Sequence, residues 1–338
     1  MAPATDAARP GTRVLSMSDM RRLLTLEDTI GLQRDALAAQ ARGQTTAAPN
    51  TWLRLPGDRR AWLKILAGHD AASGALGVKV LARFPERGPG ASLASLMLLF
   101  DDEDGSALAI MDAVYITAVR TAAGAALATQ ALARPGASKV GMVGTGTLAW
   151  YTVLAQRILS PELDELTVYS RSPERREAFA QRVRDEVGLT VHAVDTVAEA
   201  VAGADVVITA TNAGEPVLLA EHLEPGQHIG AIGIRTEIAT DAIARCRVIG
   251  DGRDEVLLDG KFSTALAAGD VVEADLGPDL GEVLEAMAPG RRSDDEITMF
   301  DSSGVAIQDV VCARHAWARA TESDCGSLIT FADSGVLD

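Results

Sequence analysis

Lys139-Val-Gly-Met-Val-Gly144-Thr-Gly146-Thr-Leu-Ala149 is the stretch on which the fold turns. A β-like run ends at Val143, two glycines follow, and a helix opens near Thr147. Gly144 allows the tight turn, Gly146 lets a pyrophosphate approach the backbone, and Ala149 lets the helix pack closely on the strand. The free N–H groups and positive dipole end of the helix then face the anion. Gly-x-Gly-x-x-Ala in this strand–turn–helix setting predicts a dinucleotide site.

Downstream, short β-like runs at 139–143, 166–169, 189–194, 205–209, 227–232 and 246–250 alternate with helical segments. That alternation is the sequence form of a doubly wound parallel sheet, a Rossmann α/β architecture. Upstream the pattern differs. Residues 16–42 carry helical periodicity, and runs at 61–66, 76–84, 93–100 and 106–111 read as strands of a mainly antiparallel or mixed sheet. An Ala-rich helix is expected over 117–133, ended by Arg134-Pro135-Gly136. After Gly281 the pattern turns helical, through 307–319, and the chain is expected to fray from Glu322.

The end of the second β-run selects the dinucleotide. It reads Leu166-Thr-Val-Tyr-Ser170-Arg171-Ser172, with no acid to accept from a ribose 2′-hydroxyl. Ser170, Arg171, Ser172 and Arg175 instead suit a 2′-phosphate. NADP(H) is favoured, with NAD(H) as the alternative.

Charge narrows the function further. A net charge of −16 opposes nucleic-acid binding, because phosphate recognition needs clustered Lys and Arg. No membrane partner is expected, since the most apolar region, 107–133, holds Asp112 and Arg120. Three scattered cysteines and five dispersed histidines give no disulfide framework and no metal-ligand spacing, so no metal is expected and a cytoplasmic location is. Asp294-Asp295-Glu296 reads as a helix-capping turn, and His69 as the one histidine near enough in sequence to reach a site around Lys79. Two cations stand out against the acidic background. Arg120 sits alone on the Ala-rich helix and must meet an anion: a substrate carboxylate, a pyrophosphate or an internal acid such as Asp112. Lys79 is the single charge inside an apolar β-run, and Arg54 in Trp52-Leu-Arg54-Leu is a weaker case.

Together these residues resemble the ornithine cyclodeaminase/mu-crystallin family from about Leu15 to Ala320. The resemblance rests on Gly77-Val-Lys79, Ile116-Thr-Ala-Val-Arg120-Thr-Ala-Ala, Ala133-Arg-Pro, Gly144-Thr-Gly146, Thr209-Ala-Thr211 and the run from Asp295 to Asp309. It implies a Rossmann domain at 126–304, a second α/β domain for substrate binding and dimerisation built from 1–125 with 305–338, a homodimer, and a pocket for a small amino, imino or oxo acid. Lys79 and Arg120 are then the catalytic candidates, and they bind substrate together with Arg54 and Ser303. Ser92, Arg120, Thr147, Leu148, Ser170, Thr211, Ala231, Ile232 and Ser302 join Gly144 and Gly146 as implied dinucleotide contacts.

One departure matters. Cyclodeaminases of this family place a catalytic Asp after the strand corresponding to 227–232, where this chain reads Gly233-Ile-Arg235-Thr-Glu237. Arg235 stands at or near that place, with Glu237 close enough to be a substitute. The Asn that usually follows Phe-Pro is also missing from Phe84-Pro85-Glu86-Arg87-Gly88. The expected activity is therefore NADPH-dependent imine (ketimine) reduction or amino-acid dehydrogenation on a small 2-imino or 2-oxo acid. The alternatives are a cyclodeaminase that recycles its NAD(P) while releasing ammonia, and a non-catalytic NADPH- and ligand-binding protein. Trp52, Arg83, Glu86, Arg235, Glu237 and the loop around Ser303 are expected to set pocket identity.

Overall fold

A computed structural model describes residues 11–56, 61–85 and 93–330. Among the described residues, two eight-stranded sheets organise the chain. The first holds β1 (Thr12–Leu15), β2 (Thr45–Ala47), β3 (Thr51–Arg54), β4 (Trp62–Asp70), β5 (Ala75–Arg83), β6 (Leu93–Phe100) and β7 (Ala107–Asp112). The second holds β8 (Lys139–Val143), β9 (Glu165–Tyr169), β10 (Thr190–Ala193), β11 (Val206–Thr209), β12 (His228–Ala231), β13 (Arg247–Gly250), β14 (Leu276–Asp279) and β15 (Thr298–Asp301). A last strand, β16 (Ser327–Ile329), returns to the first sheet beside β1.

The helices are α1 (Met17–Leu23), α2 (Leu26–Ala41), α3 (Val114–Leu132), α4 (Thr147–Leu159), α5 (Pro173–Val187) and α6 (Val197–Val201). Then come α7 (Thr240–Ile243), α8 (Arg253–Asp259), α9 (Lys261–Ala268), α10 (Leu280–Leu284) and α11 (Ala306–Glu322).

The second sheet runs β10-β9-β8-β11-β12-β15-β13-β14, and every pairing in it is parallel. All its strands therefore end on one edge, and the order reverses between β8 and β11, where a ligand crevice opens in such sheets. The strands are buried on both faces, so they read as continuous apolar runs rather than alternations.

The first sheet is antiparallel except where β1 joins β7. Its strands alternate, as one covered face requires. On the inner side Leu66, Lys79, Met97 and Met111 lie in one row across four strands. Helix α11 packs over β4 and β5 on that side. Gly68 makes this approach close: a Cβ there would stand 2.8 Å from the Cβ of Ala306. The outer side carries a second row, Ile65, Val80 and Leu96, and Leu96 is 54% exposed.

Helix α3 is buried along most of its length and touches elements of both sheets, among them β6, β12 and β15. Its alanines let neighbouring helices close in, and they also place Arg120 between the two sheets. The boundary expected at 125/126 falls inside this helix.

Four expectations need correction. The helical stretch 16–42 is two helices, because Thr25 forms a capping box with Asp28 and starts a new helix. The stretch after Gly281 contains β15, whose four fully buried residues carry no amphipathic period. The chain does not fray at Glu322: Thr12 to Val14 pair with Ile329 to Ser327. Asp294–Glu296 is a turn leading into β15, not a helix cap; Glu296 accepts from the backbone N–H and Nε of Arg292.

Candidate active site

The dinucleotide crevice forms where β8 stops. Gly144 adopts φ +117°, a left-handed conformation, and a Cβ there would meet the Ala210 carbonyl oxygen at 2.5 Å. Only glycine fits both demands. Gly146 is the N-cap of α4, no side chain caps that helix, and nothing lies within 4 Å of where its Cβ would be. The first turn, with Thr147 and Leu148, thus presents open N–H groups to an anion. A pyrophosphate fits this cradle.

At the end of β9 the Ser172 hydroxyl accepts from the Arg175 N–H and caps α5, while the Ser170 hydroxyl donates to the Ser172 carbonyl. Arg171 and Arg175 are exposed. Arg176 is the buried one, held by the Ser170 carbonyl and Asp195.

Thr211, Ala231 and Ile232 gather at the same edge, and Glu237 organises them. Its fully buried carboxylate accepts from Thr209 Oγ1 at 2.8 Å, Thr211 Oγ1 and N–H at 2.9 Å, and the Gly233 N–H at 2.8 Å. Burial pushes its pKa up, against the opposing pull of Lys261 and these donors. With four donors on two oxygens, Glu237 braces the ends of β11 and β12. Arg235 is exposed and meets Asp259 at 3.5 Å.

The loop from β15 to α11 closes the crevice. Asp251, just past β13, accepts from the Ser302 and Ser303 hydroxyls and from the Ser303 and Gly304 N–H groups. The loop feeds α11, which brings Asp309 down onto the first sheet. There Lys79 Nζ donates to Asp309 Oδ2 at 2.6 Å, and Arg120 Nε lies 3.3 Å from Asp309 Oδ1. The second contact is an ion pair without hydrogen-bond geometry, leaving Arg120 Nε unbonded; Nη1 donates to Gln308 Oε1 at 2.9 Å. Lys79 also reaches Thr117 Oγ1 at 3.5 Å. The internal anion for Arg120 is therefore Asp309. Asp112 instead accepts from the Tyr115 N–H at the start of α3.

Two buried cations share one carboxylate, so one positive charge is left over for a ligand. Burial drives the Lys79 pKa down to about 8; Asp309 opposes this and Arg120 adds to it.

Arg54 is exposed and stacks on the Trp52 ring. His69 does not approach Lys79; it meets Asp102 in the turn after β6 at 3.2 Å. Ser92 and Glu86 lie outside the described residues. Sequence reasoning passed over Asp309, Asp251 and Lys64. Lys64, a buried charge in the apolar run 61–66, showed the same signal that singled out Lys79. Lys261 and Asp301 form another buried pair at 3.4 Å, beneath Ser302.

Residues 11–324 match the ornithine cyclodeaminase/mu-crystallin family. The chain belongs to that family. It is 30% identical to an alanine dehydrogenase of Archaeoglobus fulgidus, over 95% of this chain and 98% of the relative. It is 33% identical to the ketimine reductase mu-crystallin of Mus musculus, over 75% and 79% of the two chains. Among solved structures, the Δ1-pyrroline-2-carboxylate reductase of Thermococcus litoralis in complex with NADH and L-proline superposes with a TM-score of 0.89. It is 27% identical over 94% of this chain and 100% of that one.

Proposed function

We propose that this chain is an NADPH-dependent imine reductase or amino-acid dehydrogenase acting on a small 2-imino or 2-oxo acid. The observation that carries the reading is the Lys79–Asp309–Arg120 arrangement, a buried site with one cation in excess, beside the edge where the parallel strands end. The family and its named dehydrogenase and reductase relatives support it.

Lys79 and Arg120 would hold the substrate carboxylate, fixing the adjacent carbon against the dinucleotide crevice. Asp309 keeps both cations aimed and stops them repelling each other. Gly144, Gly146 and the first turn of α4 would bind the pyrophosphate, and Arg171 and Arg175 a 2′-phosphate. When bound, the reduced nicotinamide would supply the hydride that turns the imine carbon, held by Lys79 and Arg120, into that of an amine. No carboxylate base is needed when the imine arrives protonated. The engagement of Glu237 by four donors favours this reading over a cyclodeaminase.

Residues 126–304 would bind the dinucleotide, with 1–125 and 305–338 supplying substrate and subunit contacts. The apolar row Ile65–Val80–Leu96 supports a homodimer through the outer face of the first sheet. Three free thiols suit a cytoplasmic setting. Among the described residues no helix is long and apolar enough to cross a membrane.

The test is absorbance of NADPH and NADH with 2-oxo acids plus ammonia or methylamine, and with cyclic imino acids. Oxidation of NADPH by one substrate class, weakened in Arg171→Ala far more than oxidation of NADH, is the expected result. Binding of NADPH without turnover anywhere would overturn it.

A further inference from the structure

A carboxylate shared by two cations recurs near Asp309. Asp259, at the end of α8, lies 3.7 Å from Lys64 Nζ and 3.5 Å from Arg235 Nη1. Two cations again share one carboxylate, and Arg54, on the Trp52 ring that Lys64 also faces, adds a third cation. The centres are neighbours. Lys64 lies on β4 two residues from Leu66, which pairs with Lys79, so alternation puts Lys64 and Lys79 diagonally on one face. Burial, and to a smaller extent the charge of Arg120, push the Lys64 pKa down, while Asp259, Asp251 and Asp309 hold it up.

Lys64 is as buried as Arg120, though its sequence setting is a bare apolar run. Its Nζ donates to the Ser303 carbonyl at 3.2 Å and stands 4.8 Å from the centroid of the Trp52 ring. Trp52 pairs with Lys64 across β3 and β4, and Arg54 packs on the same ring at 5.4 Å. The indole N–H of Trp52 is buried and has no acceptor. A donor left unmatched in that position is unfavourable unless a ligand supplies the acceptor.

The neighbouring acids do not cancel the excess. Four neutral donors of the 302–304 loop orient the Asp251 carboxylate without neutralising it, yet Lys64, Arg54 and Arg235 together still outnumber Asp251 and Asp259. Glu255, also within reach of Lys64, is pushed toward its neutral form by burial and by Asp251 and Asp254.

We propose that the substrate carries a second carboxylate, seated among Lys64, the Trp52 N–H, Arg54 and Arg235, so that this enzyme reduces 2-iminodicarboxylic acids to acidic amino acids. The inference rests on the reductase reading above, with the α-carboxylate at Lys79 and Arg120. It also accounts for Arg235 at or near the place where the family resemblance puts the Asp of ornithine enzymes. A cationic wall there repels the side-chain ammonium of ornithine and attracts an anion.

The experiment compares kcat/KM for oxaloacetate with ammonia against pyruvate with ammonia, using the full chain and NADPH. The wild type should prefer oxaloacetate by at least tenfold. Lys64→Met should lower that ratio at least tenfold, Lys64→Arg should restore most of it, and Trp52→Phe, which removes only the indole N–H, should lower it severalfold. Independently of turnover, L-aspartate should raise the Tm of the NADP+-loaded wild type more than L-alanine does, and Lys64→Met should abolish the difference. If Lys64→Met does not fold, the wild-type ratio, Trp52→Phe and the wild-type aspartate shift decide. Turnover of pyruvate at equal or better kcat/KM overturns the dicarboxylate and leaves the reductase reading standing. No turnover of any imine or oxo acid overturns both.

Discussion

Asp309→Asn isolates the energetics of the buried centre. Lys79 is 1% exposed and Asp309 wholly buried, so the substitution leaves Lys79 and Arg120 facing each other with no counter-charge. Breaking a buried pair from one side costs about 3–5 kcal/mol. For 338 residues, an unfolding entropy of about 2 cal/mol/K per residue makes Tm fall by roughly 4–7 °C. Calorimetry or circular dichroism at pH 7 reads this directly.

Two further features tie the loss to charge rather than to shape. Lys79→Met in the Asp309→Asn background should recover about half of it, because one stranded cation is gone. The deficit should also shrink as pH rises toward about 8 and level off above it, because without Asp309, which holds the Lys79 pKa up, the lysine neutralises at lower pH in the variant and only Arg120 remains uncompensated. A single variant within about 1 kcal/mol of wild type, or a double variant less stable than Asp309→Asn, would refute the reasoning.

The same lysine predicts a pH profile: its charged form binds the carboxylate and persists below about 8, so kcat/KM should fall above that pH. Lys79→Arg should move this limb upward, and a flat profile to pH 9.5 would contradict it. Gly144→Ala combines a left-handed φ with overlap on a backbone carbonyl, and should cost about 2 kcal/mol or more and abolish NADPH binding by titration calorimetry. His228 is fully buried against Thr298, and burial, with Arg291 nearby, holds its pKa down to about 3. It stays neutral in the fold while the unfolded chain takes up protons below about 6.5. This group therefore removes about 1.4 kcal/mol of stability per pH unit from 6.5 down toward 3. His228→Gln should flatten the acid limb in urea titrations, and an unchanged slope would exclude His228 as its source.

Much of the dinucleotide half was legible because its constraints are local. Gly144 and Gly146 answer to a single turn, and Lys139–Val143 is bounded by its own apolar run. The second centre was harder to read, since Asp259 and Arg235 come from segments remote from Lys64, and nothing within 61–66 specifies a partner 195 positions away. Asp309 was visible as part of a motif, yet its role depends on how deeply α11 sits, which Gly68 on a different strand decides. β15 escaped notice because four residues buried on every side leave no period to detect. Glu237 looked free to act as an acid because its acceptors' partners, Thr209 and Thr211, belong to the adjacent strand end.

Strand β5 has a consequence for regulation. Lys79 faces inward, and Val80, one peptide bond on, faces the outer apolar row. An acid gripped from inside restricts the same backbone that a second copy would press from outside. Thermodynamic reciprocity then requires that whatever ligand binding contributes to association, association returns to ligand binding by an equal factor. Protein concentration would act on this enzyme as an effector does, with apparent substrate affinity falling on dilution.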